Sequence, residues 1–348
     1  MNLPFRILTT LGLLAGHAFA ADSAAPYKVL NTTQVMGTGG IDYVYADSEA
    51  RRAYVPRGDQ TFVFDLDTHK LTGTMAGISG HGVAIDSKSH HGFSSSKPVG
   101  MFDTQTLQKI KTVDVQGRPD GIYFEPLTER VYVFSHQAPA ITVIEPKEGS
   151  IVGTIDIGGA PEQAQSDGQG HLYVDLEDEN KIAVVDVKTM KLVTKYDLGE
   201  KGDGPAGLGF DVKNHLLFAM CHSQNCVVLN AEDGKILATL PIGNGTDSGG
   251  FNPHTMEAFS SQRDGTLTII KENSPTDFVV EQTVTTKQGC KTCALDAKTD
   301  HIVLICTERA PETAPAASTP SPAPTESAPP RHGGRGGPGN LDLLFVGR

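Results

Sequence analysis

The sequence predicts an all-β protein, a seven-bladed β-propeller of four-stranded antiparallel blades closed by its own N-terminal strand. Three observations carry this. A unit of about forty residues recurs seven times, two further registers recur in step with it, and the last unit is two strands short. Forty residues holding four short strands is the spacing of a propeller blade.

The chain opens on residues 1–20, which read as a secretory signal peptide. Arg6 supplies the positive start, Ile7 to Ala15 a short apolar core, and Ala18-Phe19-Ala20 the small-x-small cleavage pattern. The apolar stretch is far below the ~20 residues that a bilayer-spanning helix needs, and no later segment is longer. The expectation is therefore a cleaved leader, a periplasmic or secreted product and no membrane span.

Next comes Tyr27–Val35, a strand with no partner nearby in sequence. The repeats follow. Their first strands align as Asp42–Asp47, His81–Asp86, Asp120–Glu125, Glu162–Asp167, Ala206–Asp211, Asp247–Asn252 and Lys291–Asp296, with starts 39 to 44 residues apart. Second strands align on Tyr54, Phe93, Tyr132, Tyr173, Phe218, Phe259 and Val303. Third strands follow in the first six units, for example Thr61–Asp65, Ile141–Glu145 and Ile182–Asp186. The acids that end the first strands suit tight turns, because a short carboxylate side chain accepts from nearby backbone amides.

The seventh unit breaks after Ile302–Cys306. Residues 310–340 are rich in Pro and Gly, a composition that cannot bury enough apolar surface to order itself. They lead to the apolar run Leu341–Val346, so they read as an insert within a blade and not as a tail. Leu341–Val346 then serves as third strand and Tyr27–Val35 as fourth, which removes an open sheet edge. One propeller domain over 27–309 and 341–348 results.

The units Gly117-Arg-Pro-Asp-Gly-Ile-Tyr123, Arg130-Val-Tyr-Val133, Ile141-Thr-Val-Ile-Glu145 and Ile182-Ala-Val-Val-Asp186 resemble YVTN-type (YncE-like) β-propeller repeats. The resemblance extends from Tyr27 to Arg348. It implies a seven-bladed fold and export from a bacterial or archaeal cell, and it names no activity.

In a propeller, the loop into each first strand and the loop between second and third strands open on one face. That symmetry gathers Asp42, His81, Asp120, Glu162, Ala206, Asp247 and Lys291 into a ring. Arg57, Lys97, His136, Glu177, His222, Arg263 and Glu308 stand above it. Such a funnel could hold a divalent cation through oxygen ligands, or set an acid and a base across a small substrate. The plainer alternative is that these groups hydrogen-bond the turns where strands begin. His81 and Glu162, neither a favoured turn former, stand out as ligand-facing.

Five cysteines in an exported chain suggest disulfides and a leftover thiol. The first expectation is a Cys221–Cys226 bridge plus one bridge among Cys290, Cys293 and Cys306. Unpaired thiols, or a soft-metal or redox site on that trio, are the alternatives. The formal charge of −12, or −13 once Arg6 is removed, argues against nucleic acid, which needs a basic patch. No Gly-x-Ser-x-Gly, Walker A or His-Glu-x-x-His motif occurs. The favoured reading is a monomeric, non-enzymatic binding or scaffold protein that recognises a small molecule, metal ion or protein partner at the channel mouth. A metal-assisted hydrolase, lactonase or lyase at the same funnel is the alternative.

Overall fold

A computed structural model describes residues 25–309 and 338–348. Residues 1–20 and nearly all of the insert lie outside them. Seven four-stranded antiparallel sheets form the blades of a propeller. Blade 1 contains Tyr45–Asp47, Arg52–Arg57, Gln60–Asp65 and Leu71–Ala76, and blade 2 contains Val83–Asp86, His91–Ser94, Val99–Asp103 and Lys109–Val113. Blade 3 runs Pro119–Glu125, Arg130–Ser135, Ile141–Glu145 and Ser150–Ile155. Blade 4 runs Pro161–Ser166, His171–Leu176, Lys181–Asp186 and Lys191–Asp197. Blade 5 has Pro205–Asp211, Leu216–Cys221, Asn225–Asn230 and Ile236–Pro241, and blade 6 has Thr246–Asn252, Glu257–Gln262, Thr266–Ser274 and Asp277–Thr285.

Blade 7 is the composite one. From the channel outward it places Cys290–Asp296, His301–Arg309, Gly339–Gly347 and Lys28–Gly37. The closure expected from sequence is therefore present, with the third strand starting two residues earlier, at Gly339. Arg348 reinforces it by reaching Glu257 of blade 6 and lying over the Tyr27 ring, 4.3 Å from its centroid. Tyr27 donates its hydroxyl to the same carboxylate at 2.6 Å.

Among the described residues the core is divided. Seven apolar clusters each fill the space between two neighbouring blades. Middle strands such as Arg130–Ser135 and Ile141–Glu145 are buried on both faces, so alternate residues feed the clusters on either side. Tyr132 and Phe134 pack toward blade 4, whereas Val131 and Val133 pack toward blade 2. Each fully buried Phe or Leu contributes roughly 1.5–3 kcal/mol. The stability of the ring is thus spread over its blade junctions.

The acids ending the first strands sit opposite the mouth and cap turns. Asp47 accepts from the Ala50 amide at 2.9 Å, and Asp167 from those of Gln169, Gly170 and His171 at 2.7–2.9 Å.

The cysteines bear out the expected bridge within blade 7 and correct the expected Cys221–Cys226 pairing. Cys290 and Cys306 face each other across the blade 7 hairpin and are bridged, while Cys221, Cys226 and Cys293 are free thiols. In blade 5, Cys221 pairs with Asn225 and Cys226 with Met220. The two cysteines are one register step apart and project to opposite faces. Cys221 enters the cluster shared with blade 4 and Cys226 the cluster shared with blade 6.

Candidate functional site

The entries to the first strands converge at one end of the channel, as the repeat requires. What sequence could not show is that their side chains form one chain of contacts running through six blades. Arg263 of blade 6 donates to Asp247 Oδ2 at 2.8 Å, and Lys291 Nζ of blade 7 reaches the same oxygen at 2.9 Å. Lys291 also binds Asp42 Oδ1 at the entry to blade 1. Asp42 Oδ2 lies 2.5 Å from His81 Nδ1 of blade 2, which is also 2.9 Å from Asp120 Oδ1 of blade 3. Asp120 Oδ2 is 3.0 Å from His136 Nε2, and that nitrogen is 3.1 Å from Glu162 Oε1 of blade 4. Basic and acidic groups alternate along the whole arc.

This alternation controls protonation. Burial would lower the pKa of His81, but the flanking carboxylates of Asp120 and Asp42 outweigh it and lift it to about 10. His136 reaches about 10 by the same balance, with Asp120 and Glu162 as its partners. Asp120 is pushed up by burial, yet the two imidazoles hold it well below the ordinary carboxylate range. Burial raises Glu162, and His136 only partly opposes it. For Lys291, Asp247 and Asp42 overcome burial and keep the ammonium charged. Arg118 lies 3.1 Å from His136 Nδ1.

Two hydrogen-bonding mismatches stand out, one at an acceptor and one at a donor. His81 Nδ1 has one hydrogen for two carboxylate oxygens and aims it at Asp42, so Asp120 Oδ1, shut off from solvent, receives no aligned hydrogen bond. His136 Nε2 likewise sits between two oxygens without being aligned to either.

Beside the arc the inner strands line an open cavity of about 450 Å³ that Tyr43 and Glu162 also border. Tyr43 crosses the channel from blade 1 and donates its hydroxyl to Glu162 Oε2 at 2.5 Å, and its pKa is raised well above normal, first by burial and then by Glu162. Gln163 ties three blades at this level. Its Oε1 accepts from the amides of Leu208 and Gly249, both at 3.0 Å, and its Nε2 donates to Ser248 Oγ at 3.0 Å. Asp175, fully buried, is pushed far up by desolvation.

Of the residues expected at the mouth, Asp42, His81, Asp120, His136, Glu162, Asp247, Arg263 and Lys291 join the arc. His222 stands apart, 3.4 Å from Glu177. Arg57 is a correction: only 1 % exposed, it faces sideways and donates to the carbonyls of Gly37, Gly39 and Gly339. It ties the strand ends of blade 7, and its remaining nitrogen, Nη1, is buried without a partner. Ala206 leaves blade 5 without a charge. Tyr43, Arg118 and Gln163 escaped the sequence reading, although each lies within two residues of a ring position.

No protein-family model and no curated protein matches the sequence. Among solved structures the chain is similar to one described as "Structure of U3-55K", at 10% identity and a TM-score of 0.71, covering 92% of this chain and 99% of that one. In all, 1631 solved chains match. A likeness so widely shared and so remote in sequence establishes the seven-bladed fold and leaves the ligand open.

Proposed function

We propose that this chain is an exported binding protein of the YVTN-like kind, which recognises a small polar ligand at the mouth of its channel. One observation carries the reading. The arc from Arg263 to Glu162 concentrates acidic and basic groups from six blades at a single opening, and His81 keeps 41% of its side chain exposed there. A ligand with its own donors and acceptors can exchange with members of such an arc at little net loss of hydrogen bonds. Export is supported by residues 1–20 and by the Cys290–Cys306 bridge, which suits an oxidising compartment.

Binding is favoured over catalysis by the partners of the histidines. Among the described residues, His81, His136, His171 and His254 meet charged side chains, and His91 meets a carbonyl, with no Ser, Thr or Cys held against a ring nitrogen. The test is a thermal-shift screen of the purified chain against sugars, amino acids, nucleosides and small carboxylates. We expect at least one class to raise the melting temperature, and Glu162→Gln to remove that rise. A screen without any shift, or shifts indifferent to Glu162→Gln, would defeat the reading.

A further inference from the structure

We propose that Asp42, His81 and Asp120 form a site for one divalent first-row transition-metal ion at the channel mouth. This deepens the ligand-binding reading and rests on it, since the ion would anchor whatever else binds there.

The three donor atoms lie within 4.8 Å of one another. His81 Nδ1 is 2.5 Å from Asp42 Oδ2 and 2.9 Å from Asp120 Oδ1. Donors sharing an ion at roughly 2.0–2.2 Å are themselves about 3 Å apart, so only small adjustments are needed. The hydrogen-bonding deficit points the same way. A single N–H cannot serve two carboxylates, and Asp120 Oδ1 is left buried without an aligned donor. An ion in place of that proton meets the imidazole nitrogen and both oxygens together.

The outer contacts are those a metal site requires. The second oxygen of Asp42 is held by Lys291, and the second oxygen of Asp120 lies 3.0 Å from His136 Nε2. Thr292 also donates to the Asp42 carbonyl at 2.6 Å. Lys291 thereby orients the Asp42 carboxylate, and His136 stands beside that of Asp120. The neighbouring trio of Asp120, His136 and Glu162 has similar spacing but suits a metal less. Tyr43 occupies the second oxygen of Glu162, and the other nitrogen of His136 faces Arg118. A metal-bound imidazole must donate from that other nitrogen, and a guanidinium cannot accept.

The donor chemistry selects the ion. One imidazole and two carboxylates suit Zn²⁺ or Co²⁺, whereas Ca²⁺ prefers six to eight oxygens. Three protein ligands leave positions open, and the 41% exposure of the His81 side chain keeps the site within reach of solvent.

The test is calorimetric titration of the chelator-stripped chain with Zn²⁺ and with Co²⁺. The expected result is one Zn²⁺ per chain with a Kd at or below about 10 µM, and visible d–d absorption on Co²⁺ addition. Asp120→Asn and His81→Gln should each weaken Zn²⁺ at least 100-fold, and His136→Gln, acting through Asp120, about 10-fold. Circular dichroism would verify that each variant is folded, and His81→Gln, changing a half-exposed side chain, guards against collapse of the Asp120 variant. Binding only in the millimolar range, or Zn²⁺ affinity unchanged in folded His81→Gln, would overturn the proposal. If small-molecule shifts survive chelation while Zn²⁺ fails to bind, the metal site falls and the ligand-binding reading stands. If neither is seen, both fall.

Discussion

The junction between blades 7 and 1 and the junction between blades 5 and 6 do the same geometric job with opposite chemistry. At the first, Arg51 forks onto Asp296 with contacts of 2.6 and 2.8 Å, Lys291 binds Asp42, and Thr292 accepts from the Val44 amide at 3.2 Å. At the second, glycines let two backbones touch. A β-carbon on Gly207 would lie 2.5 Å from the Gly249 nitrogen, and one on Gly209 would lie 2.7 Å from the Gly250 carbonyl oxygen. The charged junction leaves polar groups over for the mouth. At the glycine junction the blade 5 entry is Ala206, so the arc leaves blade 5 out. Closure by shape and closure by charge thus divide the ring into an inert sector and a responsive one.

That contrast can be broken most severely at the glycine seam. Gly207→Val places side-chain atoms inside the backbone of blade 6, and we expect a loss of about 3 kcal/mol or more, read as a lower urea midpoint. An unchanged midpoint would mean that the seam has slack. On the charged side, Arg51→Met strands the Asp296 carboxylate, whose side chain is 2% exposed. A cost of about 3 kcal/mol is expected at neutral pH, again by urea titration, and it should shrink in acid.

Acid itself sharpens the comparison. Burial raises Asp296, but Arg51 outweighs it and holds the carboxyl at about 2, below the ~3.9 of an unfolded chain. A folded-state pKa that is depressed gives stability present above about 3.9 and lost as pH falls through about 2. Melting followed from pH 5 to pH 2 should therefore decline less steeply in Arg51→Met than in the parent chain. Parallel curves would show that the pair does not set the acid limit. The smallest effect belongs to the rim, where Arg263 is 57% exposed. Arg263→Ala should cost less than about 1 kcal/mol, and a larger loss would make the end of the arc structural.

The propeller and most of the arc were legible because a repeat places equivalent residues at equivalent positions. Seven aligned first strands suffice to bring Asp42, His81, Asp120 and Glu162 to one opening, whatever the loops do. Contacts across the channel obey no such rule. Tyr43 meets Glu162 from three blades away, and nothing in its position beside Asp42 announces that. Arg57 sits at a mouth position in the repeat, yet its side chain turns into the closure. The cysteines failed for a related reason: closeness in sequence says nothing about which face of a strand each residue takes, and one register step sent Cys221 and Cys226 to different clusters.

The composite blade has a consequence for how the protein folds. Lys28–Gly37 pairs with Gly339–Gly347 along its whole length, so the ring cannot close until these two strands, far apart in sequence, have met. Until then Lys28–Gly37 has no strand partner and blade 7 lacks half of its sheet. A chain deprived of Gly339–Gly347 should remain in that state, its open edge exposed to proteases and chaperones. The pairing thus acts as a latch, and the mouth is complete only once it has shut.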